Sequence, residues 1–233
     1  MSFILVVISN NSFASSEGYN FVSDYIHMAG KIKEAKDLGG QAMEASKNSG
    51  TIQIVSEMVT GSERMLRALE EGKYRMNKHI GEKFSYDEIG QLPVTLIKVL
   101  DELYQVNLHT KERASKMLKH AAKRETEKFQ TEMAELMVQT SQDTVSVEEN
   151  YHFIFQAAPM VLYSVYKSNN NKVEPNITKE EIDSLKEEIV LYYGDDVKNG
   201  LKVGAKHIDS VGAALWQGLS NIENAPQSSS KVD

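Results

Sequence analysis

Apolar residues recur at helical spacing along most of this chain. Phe21, Tyr25, Met28, Ile32, Ala35 and Ala42 are separated by three, four or seven residues, with Lys31, Lys33, Glu34, Lys36 and Asp37 between them. That pattern predicts an amphipathic helix. Gly39-Gly40 weakens it by about 1 kcal/mol per glycine and marks a candidate kink. Asn48-Ser49-Gly50 ends it. A second helix is predicted over Ile52 to Glu71, on Ile54, Val55, Met58, Val59, Met65, Leu66 and Leu69, with Gly61-Ser62 a candidate split. Residues 72–92 are more polar and irregular. Ser85 and Glu88 have capping-box spacing, and Leu92-Pro93 suits a helix restart. From Val94 to Gln139 there is no proline or glycine, and an apolar stripe runs from Leu96 to Met137. A continuous helix there has about 45 residues and a length of roughly 68 Å. An elongated hairpin or bundle follows, with a candidate break at Asn107 to Thr110.

Residues 140–147 are rich in Ser, Thr and Asp and read as a connection. Glu148 to Lys167 is apolar on nearly every face, which predicts the central buried helix, kinked at Pro159. Ser168 to Asn176 reads as a linker. Thr178-x-x-Glu181 is a second capping box, opening a helix through Ile182, Leu185, Ile189 and Val190 that Gly194 closes. Leu201, Ile208, Leu215 and Ile222 then sit seven residues apart, with Gly204, Gly212 and Gly218 among the intervening small residues. This heptad seam suits close helix packing. The fold class expected is all-α, an elongated bundle of five to seven helices with a long central helix or helical hairpin. The expected organisation is a main bundle over 15–167, a linker over 168–177, a C-terminal helical hairpin over 178–223 and a disordered tail over 224–233.

The first fourteen residues change the picture of where the protein works. Phe3 to Ile8 is an unbroken apolar run, and Ser12-Phe13-Ala14 puts small residues at −3 and −1 of a cut after Ala14. That is the pattern of a secretory signal peptide, although the first lysine or arginine is Lys31. The competing reading is a buried N-terminal strand. Export predicts a periplasmic or secreted protein, and the strand a cytoplasmic one. No segment reaches the roughly 20 apolar residues of a membrane span.

Composition then narrows the chemistry. Of 233 residues 41% are hydrophobic, enough for a sizeable core. Cysteine is absent, which excludes disulfides, thiolate metal sites and thiol catalysis. The formal net charge of −7 argues against general nucleic-acid binding. Phosphate-binding glycine loops, the Gly-x-Ser-x-Gly elbow and His-Glu-x-x-His are all missing.

Asp24-x-x-His27 and Glu149-x-x-His152 each place a carboxylate and an imidazole on one helical face. Two further inward carboxylates, which a di-iron bundle needs, are not evident, so no metal, cofactor or catalytic residue is assigned. Lys111, Arg113, Lys116, Lys119, Lys123 and Arg124 form a basic cluster opposed only by Glu112. Lys116, Lys119 or His120, and Lys123 share a face. The bland account is a solvated helix with ion pairs to the glutamates that follow; the functional one is docking to an acidic partner or an anionic lipid surface. Leu201, Ile208, Leu215, Trp216 and Ile222 are the other partner-binding candidates. They point to packing within the fold or self-association ahead of membrane insertion.

The function expected is that of an exported, non-enzymatic structural or interaction protein of the bacterial envelope or secretion apparatus. It would bind a protein partner or itself, with peripheral membrane contact as a further option and no nucleic acid. Its outline is similar to the minor pilus subunits of type IV secretion systems in architecture alone, with no shared motif and no residue transferred. The alternatives are a membrane-active, pore-forming type of helical protein and a cytosolic helical adaptor.

Overall fold

A computed structural model describes residues 17–169, 172–199 and 207–224, and over them the chain is an all-α bundle with one short β-hairpin. The expected leader at 1–14, Leu201 and all of the expected tail beyond Asn224 lie outside the described residues. The elements in order are α1 (Glu17–Ser46), α2 (Thr51–Asn77), α3 (Asp87–Ala122), α4 (Thr126–Gln156), α5 (Ala158–Leu162), β1 (Tyr166–Asn169), β2 (Lys172–Pro175), α6 (Lys179–Tyr193) and α7 (His207–Glu223). Short 3₁₀ turns fill Tyr163–Val165 and Asp195–Asn199.

Neighbours in sequence pack as neighbours in space: α1 on α2, α2 on α3, and α3 on α4. Short connections between long helices allow only antiparallel pairing. The C-terminal helices return to the start of the chain, with α6 on α1 and α7 on α5 and α6. The helix at the centre is α1. Phe21, Val22, Tyr25, Ile26, Met28, Ala29 and Ile32 are fully enclosed, and burying each large apolar side chain contributes on the order of 2 kcal/mol. The Tyr25 hydroxyl, buried with them, donates to the Ile154 carbonyl at 2.5 Å. The main core runs from α1 through Leu69, Leu96, Leu100 and Ile154 to Leu185, Leu215 and Leu219. A second, separate cluster of Val55, Ala114, Met117 and Leu136 lies between the far halves of α2, α3 and α4.

Several expectations from the sequence are corrected. Neither Gly39-Gly40 nor Gly61-Ser62 interrupts its helix. The third helix starts at Asp87, and Pro93 lies buried in its interior. The Ser85 capping box does not form, because the Ser85 hydroxyl donates to the Tyr166 carbonyl instead. The expected break at Asn107 to Thr110 is absent: Asn107 Nδ2 and Thr110 Oγ1 each donate to the carbonyl four residues back, at 2.8 and 3.0 Å, and remain helical. The same back-bonding by Thr140 and Thr144 carries α4 through the segment read as a connection. The long run breaks at 123–125. There Arg124 takes a left-handed φ of 61°, Glu125 N donates to His120 O at 2.9 Å and Arg124 N to Ala121 O at 3.0 Å. This is a Schellman closure with arginine in the usual glycine place.

Residues 148–167 are not one central helix. They comprise the end of α4, then α5 with Pro159 in its first turn, then a 3₁₀ turn and β1. The apolar residues on all sides reflect this broken path, which buries Ile154, Phe155, Val161 and Val165 but exposes Met160 and Tyr163. The expected linker pairs as an antiparallel ladder, Tyr166 with Pro175 and Ser168 with Val173. At its base, Asn176 N donates to Val165 O at 2.6 Å. The capping box at Thr178 forms as expected: Glu181 N donates to Thr178 Oγ1 at 3.2 Å, and Thr178 N donates to the Glu181 carboxylate at 2.8 Å. Gly194 closes α6 at φ 82°.

Candidate functional site

Ionisable side chains from α1, α2, α6 and the turn after α2 meet in one hydrogen-bonded chain. Asp24 and His27 lie one turn apart on α1. Glu71 and Arg75 are one turn apart on α2, and Glu188 and Tyr192 on α6. His27 Nδ1 lies 2.5 Å from the Tyr192 hydroxyl and His27 Nε2 lies 2.6 Å from Glu71 Oε1. A carboxylate can only accept, so Nε2 donates to Glu71, and Nδ1 shares a second hydrogen bond with the Tyr192 hydroxyl. Arg75 bridges Glu71 at 3.0 Å and Asp24 at 2.5 Å. Asp24 also receives His79 Nε2 at 3.1 Å and faces Lys78 Nζ at 3.6 Å. His79 Nδ1 reaches Glu82 at 2.8 Å. Beside this chain, Ser23 Oγ donates to both oxygens of Glu188, at 3.0 and 2.9 Å.

The electrostatics follow from these partners. Burial opposes ionisation of Asp24, but hydrogen bonds from His79 and Arg75 and the charge of Lys78 outweigh it and hold its pKa down at about 2. Burial likewise opposes charging His79, which is only 2% exposed; the hydrogen bonds to Asp24 and Glu82 prevail and raise its pKa. With a carboxylate on each ring nitrogen, His79 is held as imidazolium, and its ring packs tilted against Phe21 at 5.0 Å between centroids. Burial raises Glu188, the Ser23 hydrogen bond notwithstanding.

Tyr192, His27 and Glu71 have the connectivity of a nucleophile, a base and an orienting carboxylate. Burial raises the Tyr192 pKa, however, which disfavours the phenolate that a nucleophile would need. The arrangement clamps three helices together. Gly30 makes room for it, since a Cβ there would lie 2.4 Å from Tyr192 Cγ. Asp24 and His27, read in sequence as a candidate metal pair, are spent on Arg75, His79, Glu71 and Tyr192. Glu149 and His152 are exposed, far along the chain on α4. Among the described residues, no group of three or more His, Asp or Glu side chains is placed to hold a metal ion.

The basic cluster lies on the last turns of α3 and in the turn that follows, which holds Lys123 and Arg124. Lys111 pairs with Glu63 at 3.1 Å, Arg113 with Glu132 at 3.2 Å and with Glu135, and Lys116 with Glu132 at 4.0 Å. Lys119, Lys123 and Arg124 are exposed and have no ion-pair partner among the described residues. Further along α4, level with His109 and Arg113 and beyond, Met137 is 68% exposed, and Val138 and Val145 are also open. At the other end of the chain, Leu215 and Ile222 are buried in the core, on α5 and α6, and Gly212 and Gly218 admit the side chains of Tyr193 and Leu162. Trp216 is half-buried, with Lys186 and Lys198 over its ring at 5.2 and 5.8 Å. Ile208 falls on α7. The structure therefore separates the two sets of partner-binding candidates: the lysines face outward, and the described apolar seam serves the chain's own core.

Sequence reading did not assemble the polar network. A signal was present: Glu71, Arg75 and His79 recur every four residues across the boundary where the second helix was expected to end, and α2 continues to Asn77, bringing them toward Asp24 and His27. No helix among the described residues is long and apolar enough to cross a membrane. Comparison with protein-family models, with curated proteins and with solved structures gives no match to this chain.

Proposed function

We propose that this chain is an exported, non-enzymatic interaction protein of the bacterial envelope or secretion apparatus, acting through docking of a helix face. The observation that carries the reading is how its polar groups are used. The ionisable residues gathered at α1, α2 and α6 are committed to one another, whereas the α3–α4 pair leaves Lys119, Lys123 and Arg124 exposed at its turn and Met137, Val138 and Val145 exposed further along α4. Exposed and unsatisfied surface of that kind favours a binding role over a catalytic one. Export is supported by the apolar run from Phe3 to Ile8 and the small residues around Ala14.

The test is the N-terminal residue of the protein expressed from its native locus, determined in each cell fraction by intact mass and Edman sequencing. A chain beginning at Ser15 in the periplasm or medium is expected. A chain retaining Met1 or Ser2 in the cytosol overturns export and leaves a cytosolic helical adaptor.

A further inference from the structure

We infer that the chain binds a second copy of itself head to tail: the acidic outer face of α6 in one copy lies antiparallel on the basic outer face of the last turns of α3 in the next. The inference rests on the interaction reading above and names the partner.

Two exposed helix faces on this molecule match in charge and spacing. At the end of α3, Lys116, Lys119 and the capping residue Lys123 are exposed, and the last two have no carboxylate partner among the described residues. On α6, Glu180, Asp183 and Glu187 project outward; Glu180 and Glu187 have no cation partner among the described residues, while Asp183 takes Lys179 at 3.3 Å. Each triplet spans seven residues, about 10 Å along its helix. In an antiparallel register Glu180 meets Lys123, Asp183 meets Lys119 and Glu187 meets Lys116.

One turn beyond Glu187 stands Leu191, 76% exposed. Beside Lys116 and reaching one to two turns before it, α3 has a shallow recess lined by Leu108, Lys111, Glu112, Ser115, Lys116 and Lys119. The register that pairs the charges seats Leu191 over this recess. Lys111 there is already paired with Glu63, and Glu112, the carboxylate on this face, falls opposite a neutral side chain. In a chain of net charge −7 the α3 end is a local exception in sign, and its complement is found on the same molecule. Because the two faces differ, the contact is heterologous; it closes into a ring where the rotation allows and otherwise propagates as a filament.

The test is sedimentation velocity on the full chain over a concentration series, at about 50 mM and about 500 mM salt, where screening differs strongly. Wild type is expected to self-associate at low salt and to dissociate at high salt. Two double variants follow, both at exposed positions and checked for helicity by circular dichroism: Lys119→Glu with Lys123→Glu, and Glu180→Lys with Glu187→Lys. Each alone carries like charges on both faces, so its association should weaken by at least about tenfold. Mixed one to one, the two variants again offer opposite faces, and association should return. Leu191→Ser should weaken wild-type association without changing its salt dependence.

A wild type that stays monomeric at low salt overturns the inference, as does a mixture that fails to associate. If a monomeric wild type instead sediments with vesicles containing phosphatidylserine, and the lysine reversals abolish this, the partner of the α3 face is a lipid surface and the inference fails. None of these results touches the N-terminal measurement, so export stands or falls separately.

Discussion

Asp24 is the hub of the polar network, and replacing it with asparagine tests whether that network holds the fold. The carboxylate is 13% exposed and takes Arg75, His79 and Lys78. Its folded pKa of about 2 against an ordinary 3.8 corresponds to about 2 kcal/mol of stability at 1.36 kcal/mol per unit. Asp24→Asn also leaves Arg75 and His79 short of a charged partner in a partly buried place, so the total cost near neutral pH is about 2–4 kcal/mol. With a urea dependence of about 2–3 kcal/mol per molar, the midpoint should fall by about 1 M, read by far-UV circular dichroism. The pH dependence gives the sharper reading. A lowered carboxylate pKa means stability that is present above the ordinary 3.8 and is lost as pH falls through about 2. The gap between wild type and variant should therefore narrow steadily over that window. His79 has the opposite sign. Its raised pKa gives stability that is full below the ordinary 6.5 and is lost as pH rises through the folded value. Wild-type stability should thus peak between the two windows. A variant within about 0.5 kcal/mol of wild type near neutral pH, the scale of an ordinary surface substitution, refutes the reasoning. So does a deficit that is just as large in acid.

Arg124→Gly should stabilise the protein by about 1 kcal/mol, since the left-handed backbone at φ 61° suits glycine and strains arginine; thermal unfolding measures it, and a loss of stability would count against the turn geometry. Gly30→Ala should destabilise by about 1–3 kcal/mol, because the new methyl lies 2.4 Å from Tyr192 Cγ and must push that ring off α1. Its mark is a changed imidazole NMR signal from His27 as the Tyr192 hydrogen bond breaks. Thr178→Ala should cost about 1 kcal/mol by removing a reciprocal cap that the Glu181 amide uses, with the loss confined in hydrogen exchange to the first turn of α6.

Features written in local sequence were legible. The α1 stripe from Phe21 to Ile32, the start of α6 at Thr178 and its end at Gly194 each depend on residues within a turn or two, and each forms as the pattern predicts. The α3–α4 turn was hidden because Arg124, not glycine, takes the left-handed position. The polar run over 140–147 gave the wrong signal, since Thr140 and Thr144 satisfy their hydroxyls on their own helix. The β-hairpin lacks apolar alternation and is fixed by backbone pairing. The polar network lay furthest out of reach. Tyr192 and His27 are 165 residues apart in sequence, and only the return of α6 onto α1 brings them together.

The separate cluster under the far ends of α2, α3 and α4 divides the molecule mechanically. Val55, Ala114, Met117 and Leu136 are its fully buried members, while the rest of the bundle shares a core many times larger. Opening that end forfeits little apolar burial, so it is its own cooperative unit with a small opening free energy. Its amides should exchange with solvent while those of Phe21 to Ile32 stay closed. The face that carries Lys119 and Lys123 thus stands over the smaller of the two described clusters, and a partner seated there should slow exchange across that end, beyond the residues it touches.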